Sequence, residues 1–481
     1  MKKSEFSDLL QKFRADFSNM WDFVAREVDL VSARFWVLYL MGHASKDLVS
    51  RFVIGPISEA YLRGGEGNPI GGIVTGNGFS VAKSLEEAEN AVLEGNAVIL
   101  CEDMPDGIFG YVCAVKNDEG RANTEPETET VVRGPHDGFN ESAQQSVALL
   151  RRRIKSVNLK SEKLTLGNVT ETDVVLMYLS DLVNTDALNA LKQRLGGIRA
   201  DGLTDSGSVE MYIQDGKHPL YPTVGNSERP DKVASKILEG RIAVIVDGSP
   251  VVLTVPYLFC EGLQVSEDYA KSTFFATFAR TLRFTALLIS VFLPGLFLAL
   301  TEHHMGFLPG EMVSFMSETR KDMTVSLTWE IMTAFLIFEV LREVGLRMPK
   351  AVGSAVGVVG SLILGESAVN AGVISPFVLI IVAFSAVCNF ICPPYMNPNS
   401  VLRFALILAG GVLGLFGFFA ATVAVVLLGC AKSSFGVPYF APFAPLSAEG
   451  LGDFLYMLPI PKMKKVPPSV SGRDILRREG K

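Results

Sequence analysis

Few residues in this 481-residue chain have the types and spacing that chemistry needs. The five histidines (His43, His136, His218, His303, His304) are scattered. The adjacent pair His303 and His304 cannot present both rings from one helix face to a metal, and it reads as an outer loop. Cys388 and Cys392 share a helical face but have no His or carboxylate beside them, so the six cysteines read as buried free thiols. Gly64-Gly65-Glu66-Gly67 and Gly71-Gly72 make a loop without the Gly-Lys-Ser/Thr of a phosphate cradle. There is no HExxH and no GxSxG. No enzyme activity, cofactor or metal is expected. What stands out instead is acid inside apolar sequence. Glu330 and Glu339 lie in VSLTWEIMTAFLIFEVL (325–341), and Glu366 follows the apolar stretch 351–365. An acid in such a setting is expensive unless it faces protein or water, so it marks an ion path or an ion pair.

The spacing separates these two roles. Glu330 and Glu339 are nine residues apart and point to roughly opposite faces of a helix, so both cannot line one path. Glu339 and Glu343 share a face with Arg342 and Arg347 nearby, which predicts a structural ion-pair cluster and leaves Glu330 as the better ion-path candidate. In 351–366, Val352, Val356, Val359, Ile363 and Glu366 fall on one helical face, beside a face of Gly353, Gly357, Gly360 and Leu364. If subunits form a ring, the glycine face would pack on a neighbour, the Val/Ile face would form a dewetting gate, and Glu366 at its mouth would attract cations. The plainer alternative is that the Val/Ile face meets lipid and the glycines merely pack.

These residues need a membrane part to hold them, and the charge distribution supplies one. Residues 1–270 hold 27 Lys+Arg and 39 Asp+Glu, whereas residues 271–481 hold 17 and 12. The acidic polar half makes a nucleic-acid binder unexpected, because that affinity rests on basic residues. Phe284 to Thr301 is an uncharged run of 18 residues, close to one hydrocarbon thickness. Further apolar segments are 325–341, 351–365, 376–392 and the 28-residue run Phe404 to Ala431, read as one tilted crossing. Basic residues flank the expected inner ends: Arg280 and Arg283, then Arg342, Arg347 and Lys350, then Arg403 and a Lys/Arg-rich tail. Both termini therefore read as cytoplasmic. That requires an even number of crossings among four or five segments, with 351–365 as the candidate re-entrant or pore-side helix. The N-terminus, MKKSEFSDLLQKFR, lacks the apolar core of a signal peptide.

The polar half contains a repeat. WVLYLMGHASKDL (36–48) parallels VLMYLSDLVNTDAL (175–188), and VLEGNAVILC (92–101) parallels ILEGRIAVIV (237–246), each with a helix ending at Glu-Gly before a buried strand. The expected fold is an α/β soluble N-terminal region of two similar subdomains followed by an all-α transmembrane domain. The units are an N-terminal segment 1–29, subdomain one 30–116, an acidic linker and Arg-rich helix 117–164, subdomain two 165–270, a membrane domain 280–431 with four to five apolar helices, and a basic tail 432–481. Arg151-Arg152-Arg153 reads as a solvated face or an interdomain contact.

The stretch VVRGPHDGFNESAQQSVALLRRRI (131–154) resembles the signature of the spore germinant-receptor A-subunit (GerA) family, as does SERPDKVASKILEGRIAVIVDGSPVVLTVP (227–256). RTLRF (280–284), LREVGLRMP (341–349) and SFGVPYFAP (434–442) continue the resemblance. It is dense from about 130 to 460 and loose over 1–115. The stage V sporulation AF protein is a near relative within the same family. The resemblance implies a multi-pass protein of the spore inner membrane that works with a transporter-like B-type subunit and a C-type lipoprotein. It also implies a homo-oligomeric ring in contact with membrane lipid that acts as a ligand-gated cation channel in germination. A stage V AF-like germination amplifier and a non-conducting scaffold remain alternatives. A secondary transporter is less favoured, because the repeat lies in the polar half and not in the apolar half.

Overall fold

The computed structural model describes the chain except residues 1–2, 31–32, 63–72, 75–77, 103, 106, 118–124, 127, 130, 132, 217–219, 322, 324, 348–364, 464–465 and 472–481. After helix α1 (Lys3–Asp16), the first unit contains β1 (Phe23–Leu30), β2 (Ala33–Leu40), a helical run ending in α2 (Gly55–Leu62), β3 (Phe79–Ala82), α3 (Leu85–Leu93), β4 (Ala97–Cys101) and β5 (Gly110–Cys113). Helix α4 (Ala143–Arg153) leads to the second unit. That unit contains β6 (Leu159–Leu166), β7 (Thr172–Leu179), α5 (Thr185–Gly196), α6 (Ser206–Ile213), β8 (Gly225–Ser227), α7 (Pro230–Leu238), β9 (Ile242–Val246) and β10 (Val252–Val255).

The two sheets have one topology. Their strand orders are β1-β2-β4-β5-β3 and β6-β7-β9-β10-β8, antiparallel throughout. The sequence repeat is this duplication: one motif is the end of β2 and of β7, the other the α3–β4 and α7–β9 corners. The central strands AVILC and IAVIV are buried at every position, as short apolar runs in a sheet covered on both faces should be. In the second unit, Val174, Leu176 and Tyr178 of β7 pack with α5 and α6. The alternate residues Val175, Met177 and Leu179 pack with α4 and α7 on the other face.

The Arg-rich end of α4 is an interdomain contact, one of its two expected roles. Arg151 is buried, with Nε and Nη2 on the carboxylate of Asp22 at 2.7 and 2.8 Å and Nη1 on the carbonyl of Leu159 at 2.7 Å. Burial pushes the Asp22 carboxyl up, but the charge and hydrogen bonds of Arg151 outweigh it and hold the group below its usual range. Arg152 donates to the carbonyl of Asn117 at 2.6 Å, and Arg153 pairs with Asp137 at 2.5 Å.

The apolar half consists of α8 (Thr273–His303), α9 (Gly310–Thr319), α10 (Leu327–Arg347), α11 (Pro376–Phe390) and α12 (Met396–Ala431), followed by a tail whose strands at 433–434 and 437–438 pair. Among the described residues, α8 and the stretch 393–431 are long and apolar enough to cross a membrane, and α11 is a shorter apolar helix. The run Phe404 to Ala431 is not one straight segment, and here the structure corrects the sequence reading. Gly414 interrupts α12 at φ 61° and ψ −148°, a conformation open essentially to glycine alone. A straight helix of 36 residues would extend about 54 Å. Instead, Tyr395 before α12 and Tyr439 after it both reach Phe259: the Tyr395 hydroxyl donates to its carbonyl at 2.6 Å, and the Phe259 amide donates to Tyr439 O at 3.0 Å. The two halves of α12 are a helical hairpin.

Candidate functional site

The hairpin gives the helical region a sheet end and a far end. Helix α8 starts at the sheet end, where Arg280 and Arg283 grip Asp268 at 3.2 and 2.7 Å and Arg280 also reaches Asp453 at 2.8 Å. It finishes at the far end, where His303 Nε2 lies 2.7 Å from the carbonyl of Gly411, one turn from the Gly414 bend. The two histidines therefore close the hairpin tip and do not hang in a free loop. Helix α10 starts at the far end, with Thr328 Oγ1 donating to Glu302 at 2.7 Å, and comes to the sheet end, where Arg342 donates to Ser400 at 3.2 Å. Helix α11 begins beside the start of α10 and ends beside Phe338 of α10, whose ring lies 6.0 Å from that of Phe390. Helices α10 and α11 are parallel.

Of the charged residues singled out in the sequence, Glu330, Glu339, Arg342, Glu343 and Arg347 have partners. Glu330 is buried; it pairs with Arg320 at 2.6 Å and accepts from the Ser375 amide and hydroxyl, both at 2.5 Å. Its carboxylate ties α10 to the N-terminus of α11. The expected cluster of Glu339, Arg342, Glu343 and Arg347 resolves into two pairs. Glu339 and Arg342 meet at 2.9 Å and both contact Ser400 of α12, whereas Glu343 and Arg347 meet at 2.6 Å on an exposed face of α10. Glu366 is exposed in a short helical turn. Val352, Val356, Val359 and Ile363 lie outside the described residues.

One polar cluster in the bundle escaped the sequence reading. Pro294 lies within α8 and has no N–H, so the carbonyl four residues earlier, Ser290 O, loses its helical donor. Two side chains replace it: Arg403 Nε and Ser385 Oγ, each at 2.9 Å. Asn399 extends the cluster by donating to Ser290 Oγ at 3.3 Å and to Asn389 Oδ1 at 3.0 Å. A proline in an apolar span is the signal that could have found it, because a freed carbonyl there needs a donor from another helix.

Between the second α/β unit, the segment that precedes α8 and the tail, a cleft of about 890 Å³ opens beside α7, lined in part by Lys236, Glu239, Arg241, Glu261, Gln264 and Tyr269. Its buried charges satisfy one another: Glu261 lies 2.9 Å from Lys236 and 3.1 Å from Arg241, and Arg241 also pairs with Glu239. Burial raises the Glu261 carboxyl, but Arg241 and Lys236 outweigh it and keep it below its ordinary value. Burial lowers the Lys236 ammonium, a change that Glu261 opposes. These pairs tie α7 and the residue before β9 to the turn Phe259–Leu263, which leads toward α8. Among the described residues no group of His, Cys, Asp and Glu is arranged to hold a metal ion.

A duplicated α/β sheet region, locked through buried charges onto an apolar helical bundle, defines the class. The chain belongs to the Bacillus/Clostridium GerA spore germination protein family, the A-subunit family of spore germination receptors, whose pattern matches residues 11–469. It is 37% identical over 412 residues to spore germination protein KA of Bacillus subtilis strain 168, covering 85% of this chain and 74% of that protein. It is 29% identical over 478 residues to spore germination protein GerLA of Bacillus cereus, covering 97% and 96%. Spore germination protein A1 of Bacillus subtilis strain 168 is 32% identical over 389 residues, covering 80% of each chain. Among solved structures, the N-terminal domain of the A subunit of the Bacillus megaterium spore germinant receptor GerK3 matches at 27% identity and a TM-score of 0.40, covering 53% of this chain and 95% of that one.

Proposed function

We propose that this chain is a membrane-spanning subunit of a spore nutrient-germinant receptor that assembles into a ring in the spore inner membrane and gates cations. A transporter-like B-type subunit recognises the nutrient, a C-type lipoprotein completes the receptor, and ion release starts germination. One observation supports this reading most directly. Helices α10 and α11 run parallel, with Glu330 bonded to Ser375 at their shared start. Parallel neighbours need a returning connection. The chain between Arg347 and Pro376, which includes Val352, Val356, Val359 and Ile363, therefore has to lead back from the sheet end to the far end. The crossings then number six: α8, α10, that return, α11 and the two halves of α12. An even number keeps both termini on the cytoplasmic side, as the basic flanks require. The Val/Ile face lines the ring axis and Glu366 sits at its mouth. Glu330, engaged by Arg320 and Ser375, serves as a tie between helices, as do Glu339 and Arg342.

The deciding experiment is potassium release from dormant spores carrying Val359→Ala or Val359→Ser, without nutrient. Leak at normal protein level is the expected result. Full dormancy with normal triggered release would remove this segment from the gate and favour a non-conducting scaffold.

A further inference from the structure

Arg403 is fully buried in the bundle. Its Nε serves Ser290 O, and its guanidinium lies 4.5 Å from the centroid of the Phe335 ring. Among the described residues, neither terminal amino group, Nη1 nor Nη2, has a hydrogen-bond partner. An enclosed guanidinium with a bare fork is strongly unfavourable unless an anion is within reach. One carboxylate lies on the same seam: among the described residues, Glu339 and Arg342 are the charged groups whose fields reach Arg403. Glu339 is held by Arg342 Nη2 at 2.9 Å and by Ser400 Oγ at 2.6 Å. Ser400 precedes Arg403 by three positions, so the two share a face of α12 and present neighbouring donors to α10. Arg342 differs from Arg403 in its surroundings: its side chain keeps 14% of its exposure and contacts Asn397 at the sheet end. A long side chain at that edge can carry its charge to water, whereas Arg403 has no such route.

We propose that Glu339 is a shared counter-charge that exchanges between Arg342 and Arg403, giving the α10–α12 seam two alternative pairings. In the first, observed here, Glu339 holds Arg342 and Ser400 while the Arg403 fork is bare. In the second, Glu339 swings along the same face of α12, pairs with the fork of Arg403 through both carboxylate oxygens, and releases Arg342 toward the edge. Each pairing leaves one arginine without its carboxylate, so the two compete, and a contact that favours either one biases the position of α10 against α12.

A mutant cycle on the purified full-length chain in lipid nanodiscs tests this without reference to ion conduction. Thermal unfolding is compared for wild type, Arg342→Gln, Arg403→Gln and the double variant, and the same four are repeated with Glu339→Gln. With a shared carboxylate, each single loss is cushioned by the remaining arginine. The double variant then loses on the order of tenfold more in folded-to-unfolded ratio than the product of the single losses. This excess disappears when Glu339 is Gln. Additive losses would overturn the proposal. An excess that survives Glu339→Gln would also overturn it, since that outcome reports direct repulsion between the arginines. If the double Gln variant fails to accumulate, Lys replacements are measured instead. They keep the charge but remove the fork, so the excess shrinks without changing sign; additivity among them again refutes the exchange.

Discussion

Tyr395 and Tyr439 bracket α12, and their side chains lie on the same residue: the ring centroid of Phe259 is 5.2 Å from that of Tyr395 and 6.4 Å from that of Tyr439. The polypeptide leaves the sheet end and returns to it within one apolar stretch. The turn depends on Gly414, where an added Cβ would lie 3.0 Å from His303 Cβ in a backbone conformation that side chains rarely adopt. Gly414→Ala is expected to destabilise the protein by about 1–3 kcal/mol. A lowered unfolding midpoint of the purified chain checks this. Leu413→Ala, an exposed neighbour, should leave the midpoint nearly unchanged.

The contact of Tyr395 with the junction is equally tight. A Cβ on Gly262 would stand 2.3 Å from Tyr395 Cε2, so Gly262→Ala must displace the ring and the α11–α12 turn with it. Overpacking of this kind costs about 1–3 kcal/mol. Adding Tyr395→Leu to Gly262→Ala should recover part of the loss by vacating the space. If the double variant is less stable than both singles, the ring does not set the spacing.

Asp22 and Arg151 join the two α/β units through a pair that water does not reach. Arg151→Met leaves the Asp22 carboxylate buried without its counter-charge, and a loss of about 3–5 kcal/mol is expected. Asp22→Asn in the same chain should restore much of it by removing the stranded charge. Limited proteolysis of the linker between the units provides a second readout, with faster cleavage in the single variant than in the double.

His43 should make the first unit acid-sensitive. Burial, followed by the charge of Arg152, lowers its pKa to about 4 from an ordinary 6.5. The folded state therefore holds the neutral ring more firmly than the unfolded chain does. Its contribution is complete above about pH 6.5 and is lost as pH falls toward about 4, where roughly 3 kcal/mol has gone. His43→Gln should flatten the stability profile between those two values. A profile equally steep in the variant would show that other groups carry the acid sensitivity.

The strand repeat was legible because each half carries its own local instructions: apolar runs of strand length, a helix ending at Glu-Gly, then another run. Two copies of one pattern predicted two similar subdomains, and the sheets have one strand order. The arginines of α4 were legible only as alternatives, because a solvated and a buried guanidinium look alike until Asp22 arrives from far along the chain. The acids in apolar sequence were legible only as residues that need protein or water beside them. Which partners they take depends on residues brought in by other helices: Ser375 and Arg320 for Glu330, Ser400 for Glu339. Arg403 was counted as a basic flank, since a charge at the start of an apolar run usually faces water.

By itself the sequence determined the duplicated α/β region, the apolar half and the family, because periodicity, local capping and long ordered motifs are properties of contiguous residues. The tertiary structure alone decided that α12 doubles back, that a carbonyl freed by Pro294 is answered by Arg403 and Ser385, and that the fork of Arg403 is bare among the described residues. A turn at one glycine changes nothing in average hydropathy, and an orphaned carbonyl or an unpaired guanidinium is defined only by what surrounds it in space.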